Sequence, residues 1–158
     1  MGTLQGIWVK EARGEPMIAV DEVTALAGQG FDGGIREAST RQLTVLAAET
    51  WADAEATLGM SVDPALRRAN LLVAGLDLAG TTGRVLRVGD LRLEITGETK
   101  PCHQMDASVS GLRDALEPDW RGGVHGVVLG DATVRVGDPV GWDLRRDLSP
   151  RRGLDEAQ

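Results

Sequence analysis

The chain has 158 residues, a formal net charge of −7 and a pI of about 4.8, with 42% hydrophobic and 26% charged residues. That length suits one domain with a sizeable core, and the acidic balance argues against broad electrostatic binding to nucleic acid or to an anionic membrane. No apolar run approaches the length of a membrane helix, the opening MGTLQGIWVKEARGEP lacks the basic start and apolar centre of a secretory signal, and a single cysteine cannot form an internal disulfide; the expectation is a cytoplasmic protein.

In chain order, LQGIWV and PMIAVDEV read as two strands joined by the loop KEARGE. The glycine-rich AGQGFDGG follows as a connection. It matches neither GxxxxGK[ST] nor GxGxxG, so it reads as a loop needing positive φ angles rather than a phosphate cradle. STRQLTVLAAETWADAEATLG has Leu43, Ala47, Trp51, Ala54 and Leu58 on one helical stripe, which predicts a long helix. Ser39 with Gln42 three residues later fits a capping box at its start, and Gly59 fits its stop. VDPALRRAN reads as a turn with one helical turn, and LLVAGL as a short strand.

The second half is strand-like. GRVLRVGDLRLEIT gives a hairpin about Gly89-Asp90. SVSGLRDALEP is a short helix that groups Leu112, Ala115 and Leu116, and GVHGVVLGDATVRVGDPVGWDL offers two or three more strands. Seven or more short strands without βαβ alternation predict a mostly β chain, a β-barrel with two or three helical insertions over residues 1–144. Residues 145–158 are polar and aperiodic and read as a mobile tail.

The chemistry-bearing residues are few. Only Lys10 and Lys100 are lysines, so fifteen of the seventeen basic residues are arginines, whose planar fork suits phosphate and carboxylate. Cys102 is the one cysteine, set in ETKPCHQMD. A buried, inert thiol is the structural reading. Its polar flanks favour a functional one, because a neighbouring cation such as Lys100 favours thiolate, the form that attacks electrophiles and binds metals. On an extended strand His103 faces away from Cys102. One cysteine with His103 and His125 lacks the spacing of a zinc site.

KPC, preceded by LRLEIT and followed by RGGVHGVVLGDATVRVGDPV, resembles the signature of the MOSC domain, the C-terminal domain of molybdenum-cofactor sulfurases that also occurs as small stand-alone proteins. RRANLLVAGLDL resembles that family's arginine-x-asparagine strand, GRVLRVGDLRLEI the hairpin after it, and IWVKEARGEPM its N-terminal strand–loop–strand. The resemblance spans about residues 4 to 142. It implies a closed barrel of the pyruvate-kinase barrel-like kind and a pocket for molybdenum cofactor, a pterin dithiolene with a terminal phosphate.

By the same resemblance Cys102 is the metal ligand and catalytic residue. Lys10, Arg67, Arg68, Asn70 and Lys100 are candidates to hold the cofactor, and so is Arg41, which with Ser39 lies at the start of the predicted long helix, where free backbone N–H groups favour an anion. Arg67 and Arg68 have an alternative as solvated turn residues, and Ser39 as a helix cap. Glu11 stands where reductase relatives carry serine, and a carboxylate there would repel a cofactor phosphate. The implied function is reduction of N-hydroxylated small molecules, with electrons from a separate flavoprotein or ferredoxin. Two alternatives stand beside it. One is a sulfur carrier that receives a Cys102 persulfide from a pyridoxal-phosphate-dependent cysteine desulfurase; the other is a binding module without catalysis.

Overall fold

The computed structural model describes residues 2–35 and 39–143. The proposed tail, 145–158, lies outside the described residues. Eleven strands and three short helices are present among them: β1 (Gly2–Val9), β2 (Ile18–Val20), β3 (Glu22–Leu26), β4 (Gly30–Phe31), β5 (Leu43–Ala47), α1 (Ala48–Leu58), β6 (Leu71–Ala74), β7 (Val85–Val88), β8 (Leu91–Glu98), α2 (Gln104–Ser108), α3 (Leu112–Leu116), β9 (Val124–Val128), β10 (Ala132–Arg135) and β11 (Pro139–Trp142).

The strands run β11-β7-β8-β9-β5-β6-β1, and β1 pairs back onto β11, so seven strands close a barrel as the strand count predicts. β2 extends the barrel from β1, while β10, β3 and β4 form a separate three-stranded sheet. The ladders between barrel strands are antiparallel except β5 against β6. The hairpin about Gly89-Asp90 forms as expected, joining β7 to β8. Gly28, Gly30 and Gly33 of the glycine-rich connection all take positive φ, which is the loop reading of that segment.

The predicted long helix is only half present. Its first part, Leu43–Ala47, is strand β5, and α1 begins at Ala48 with no side-chain cap. The reason lies in burial. Leu43, Val45 and Ala47 fill the barrel, and Leu46 packs outward beneath α1 and α3, so four of the five residues are buried and no two-residue alternation shows. Ser39 therefore caps no helix; its hydroxyl accepts the Arg41 N–H at 3.1 Å in a local turn. Gly59 ends α1 in the left-handed conformation, as read.

Two apolar layers share β5. The barrel interior is lined by residues such as Leu4, Ile7, Leu71, Leu93, Ile95 and Val140. The second layer places Trp51, Ala54, Met105, Leu112 and Leu116 over Leu46. Trp51 donates its Nε1–H to the Val62 carbonyl at 2.9 Å, which anchors the loop after α1. The seam between these layers is where β1, β5, β6 and β8 begin or end.

Asn70 fastens that seam. Its Oδ1 accepts from the Thr44 N–H at 3.0 Å, and its Nδ2 donates to the Trp8 carbonyl at 3.2 Å. One amide thus joins β1 and β5 at the start of β6. Asn70→Ala is expected to cost about 1–3 kcal/mol, because it leaves half-buried partners unsatisfied; urea denaturation at neutral pH checks this, and an unchanged midpoint would contradict it.

Candidate functional site

Two adjoining cavities of about 230 Å³ and 310 Å³ open along the seam and share Lys10, Arg41, Thr44 and Arg68 as a common wall. The smaller one adds Arg67, Thr99, Lys100, Cys102, Gln104 and Gly122. The larger one adds Ser39, Gln42 and Asn70 beside Met17 and Ile35. All seven site residues proposed from the sequence, Lys10, Arg41, Arg67, Arg68, Asn70, Lys100 and Cys102, therefore line one cleft. Five of them are cations, and none of the described lining residues is Asp or Glu.

Each arrives for a local reason. Lys10 follows the last residue of β1, and Arg41 precedes β5. Arg67 closes a 3-10 turn opened by Pro64, which Asp63 caps through the Ala65 N–H. Arg68 then takes the left-handed conformation, φ 64°, unusual for a non-glycine residue, and swings the chain into β6. Arg41 and Ser39 do not sit at a helix N-terminus, so free helical N–H groups contribute no anion site there.

Cys102 is exposed. It is not on a strand: its carbonyl accepts the Met105 N–H at 3.0 Å, and His103 stands at the N-cap of α2. The strand argument for the direction of His103 thus fails, although His103 is still no part of the wall. The helix α2 had no periodic signal because it is five residues long.

Arg67 departs most from its expected role. It is 8% exposed, so it is no solvated turn residue. Its Nη2 donates to the Thr99 carbonyl at 2.8 Å and its Nε to the Gly122 carbonyl at 3.1 Å, while Nη1 contacts the Met105 sulfur at 3.8 Å. Thr99 and Met105 stand three residues before and after Cys102, so one guanidinium brackets the cysteine loop. Gly122 makes room for this: a Cβ there would lie 2.4 Å from the Thr99 carbonyl oxygen. Burial, then the charge of Arg41, pushes the Arg67 pKa down to about 10, against an opposing pull from Cys102. The Thr99 hydroxyl is buried without a hydrogen-bond partner.

Glu11 lies elsewhere. It is exposed and borders a separate surface cavity with Ala12, Glu15, Pro16 and Ile18, and it is not among the residues lining the cleft. Among the described residues no cluster of His, Cys, Asp and Glu is arranged to hold a metal, and no helix is long and apolar enough to cross a membrane.

His125 stands opposite Thr44 across the β5–β9 ladder. The Thr96 hydroxyl donates to the Thr40 carbonyl and lies 2.8 Å from His125 Nδ1, so the network assigns the proton to Nδ1. Burial first and the nearby Arg41 charge second lower the His125 pKa below 6.5, opposed by a hydrogen bond to the Thr40 backbone. A histidine with a depressed folded pKa is neutral in the fold, so the unfolded chain binds the extra proton first. The stability it contributes is present above pH 6.5 and is lost as pH falls through the lower folded value. Thermal midpoints measured from about pH 7 to pH 5 should fall more steeply for the native chain than for His125→Gln. Parallel curves would contradict this.

No curated protein matches the chain in sequence. Its fold is similar to solved structures of the YuaD protein from Bacillus subtilis (TM-score 0.75, 18% identity, 89% of this chain and 94% of that one) and of YiiM from Geobacillus stearothermophilus (0.72, 16%, 90% and 75%). YiiM from Escherichia coli is similar as well (0.67, 19%, 89% and 69%). The MOSC domain family model matches residues 32–141, a span holding Arg41, Arg67, Arg68, Asn70, Lys100 and Cys102, and the chain belongs to the MOSC domain family.

Proposed function

We propose that the cleft binds molybdenum cofactor with Cys102 as the protein ligand to the metal, and that the bound centre reduces N-hydroxylated small molecules. The observation that carries this reading is the wall itself: five cations and the one cysteine, with no described carboxylate among them. Such a wall suits a ligand that is anionic at one end and soft-metal-bearing at the other.

The residues fit the group. Lys10, Arg41 and Arg68 border both cavities and would receive its phosphate, with arginine offering two parallel donors. Asn70 is already committed to Thr44 and Trp8, so one amide N–H remains for a pterin acceptor. Arg67 has three donors engaged by neutral acceptors and acts chiefly by holding the Cys102 loop. When bound, the group supplies a two-electron redox centre in a sulfur-rich sphere, to which a cysteine thiolate is a matched ligand. The chain has one cysteine, too few for an iron–sulfur cluster, so electrons would come from a separate flavoprotein or ferredoxin.

The exposure of Cys102 favours a second reading, in which the thiol accepts a persulfide sulfur from a cysteine desulfurase and passes it on.

Protein purified from a molybdate-fed culture should contain molybdenum, and Cys102→Ala should lower the content at least about tenfold, as expected on losing a metal ligand. Full retention in the variant would reject Cys102 as ligand. Molybdenum-free protein that gains cyanide-labile sulfur on Cys102 after exposure to a desulfurase would support the sulfur-carrier reading instead.

A further inference from the structure

The cations of the cleft fall into two groups. Lys10, Arg41 and Arg68 border both cavities, whereas Arg67 and Lys100 border only the one that contains Cys102. The first group suffices for a terminal phosphate. The second is left around the sulfur, where the chemistry would occur.

Arg67 is 8% exposed, and its three named acceptors are two carbonyls and a thioether, none of them charged. A guanidinium has five N–H groups, so two remain. Thr99 on the same wall keeps a buried hydroxyl with no partner. Lys100, at the cavity rim, has no ion pair among the described residues. Among the described residues that line this end, only the Cys102 sulfur, when ionised, carries negative charge, one charge against two. A buried cation without a counter-charge is costly, and the cost falls when an anion enters.

We propose that the Cys102 end of the cleft is a subsite for an anionic group of the substrate, a carboxylate or similar oxyanion close to the reacting atom, received by Arg67 and Lys100. This rests on the reading of the cleft as a reaction site and narrows its substrates to N-hydroxylated compounds that also carry a negative charge. The acidic remainder of the protein repels such compounds, so the field concentrates them at this one opening.

The single cysteine makes the test direct, and it needs no bound cofactor. Cofactor-free full-length protein is alkylated with iodoacetate, which places a carboxylate one bond from the reacting carbon, or with neutral iodoacetamide. The rate ratio is compared with that of the same chain in denaturant. The folded chain is expected to favour iodoacetate by about tenfold over the denatured one at low salt, and the preference should fade as salt is added.

Arg67→Met risks unfolding the cysteine loop, so Lys100→Gln is the main variant and Lys10→Gln its comparison. Lys100→Gln should remove most of the preference and Lys10→Gln little of it. A folded ratio equal to the denatured ratio would overturn the subsite, as would an equal loss in the two variants, which would assign the field to the cleft as a whole. Molybdenum content is read separately. Metal retained without anion preference rejects only the subsite, and anion preference without metal rejects only the cofactor.

Discussion

The grip of one buried guanidinium on the cysteine loop is the constraint on which the site depends. Arg67 ties Thr99, Gly122 and Met105 together around Cys102 through hydrogen bonds to neutral acceptors. A carboxylate partner would have stabilised the arginine more, but it would also have cancelled the charge facing the cavity. The fold instead tolerates a charge whose pKa is driven down to about 10 and keeps the field available for a ligand. The approach is possible only because residue 122 is glycine and because Arg68 accepts a left-handed backbone.

The location follows from the architecture. A closed barrel leaves no free edge, so its strand ends are the places where irregular backbone and polar side chains accumulate. Here the helical layer of α1, α2 and α3 covers one side of β5, and α2 supplies Gln104 and Met105 to the Cys102 end of a cleft that is otherwise walled by residues at strand ends and loops. Asn70 closes the hydrogen bonds of the parting strands at that point. A protein of net charge −7 thereby confines five positive side chains to one opening.

Much of this was legible in the sequence, for physical reasons that differ between segments. The β7–β8 hairpin alternates on one apolar face about Gly89-Asp90, and that pattern survives in the structure. β5 was hidden because it is buried on both faces and runs straight into α1, which makes five apolar residues from Leu43 to Leu58 look like the stripe of one helix. Five of the residues lining the cleft, Arg67, Arg68, Asn70, Lys100 and Cys102, were picked out through the family resemblance of KPC and RRAN and Lys10 through that of the N-terminal strand–loop–strand, whereas Arg41 was picked for a helix start that the fold does not have. The division of labour within RRAN was not legible, because nothing in two adjacent arginines shows that the first is buried against carbonyls at the Cys102 end while the second borders both cavities. The place of Glu11 was equally hidden, since it depends on how the loop after β1 turns away from Lys10. Gly122 and Thr99 were missed altogether. The pair Gly122-Gly123 was the available signal, two glycines where the backbone must pass close to a neighbour.

The central claim is that these side chains make an anion-binding cleft whose charges repel one another until a ligand arrives. Calorimetric titration of cofactor-free protein with inorganic pyrophosphate at low salt tests it most directly. The account predicts saturable binding of one pyrophosphate per chain, weakened at least about tenfold in Arg68→Gln and progressively by salt. Absence of binding in the native chain, or binding that Arg68→Gln leaves intact, would contradict it.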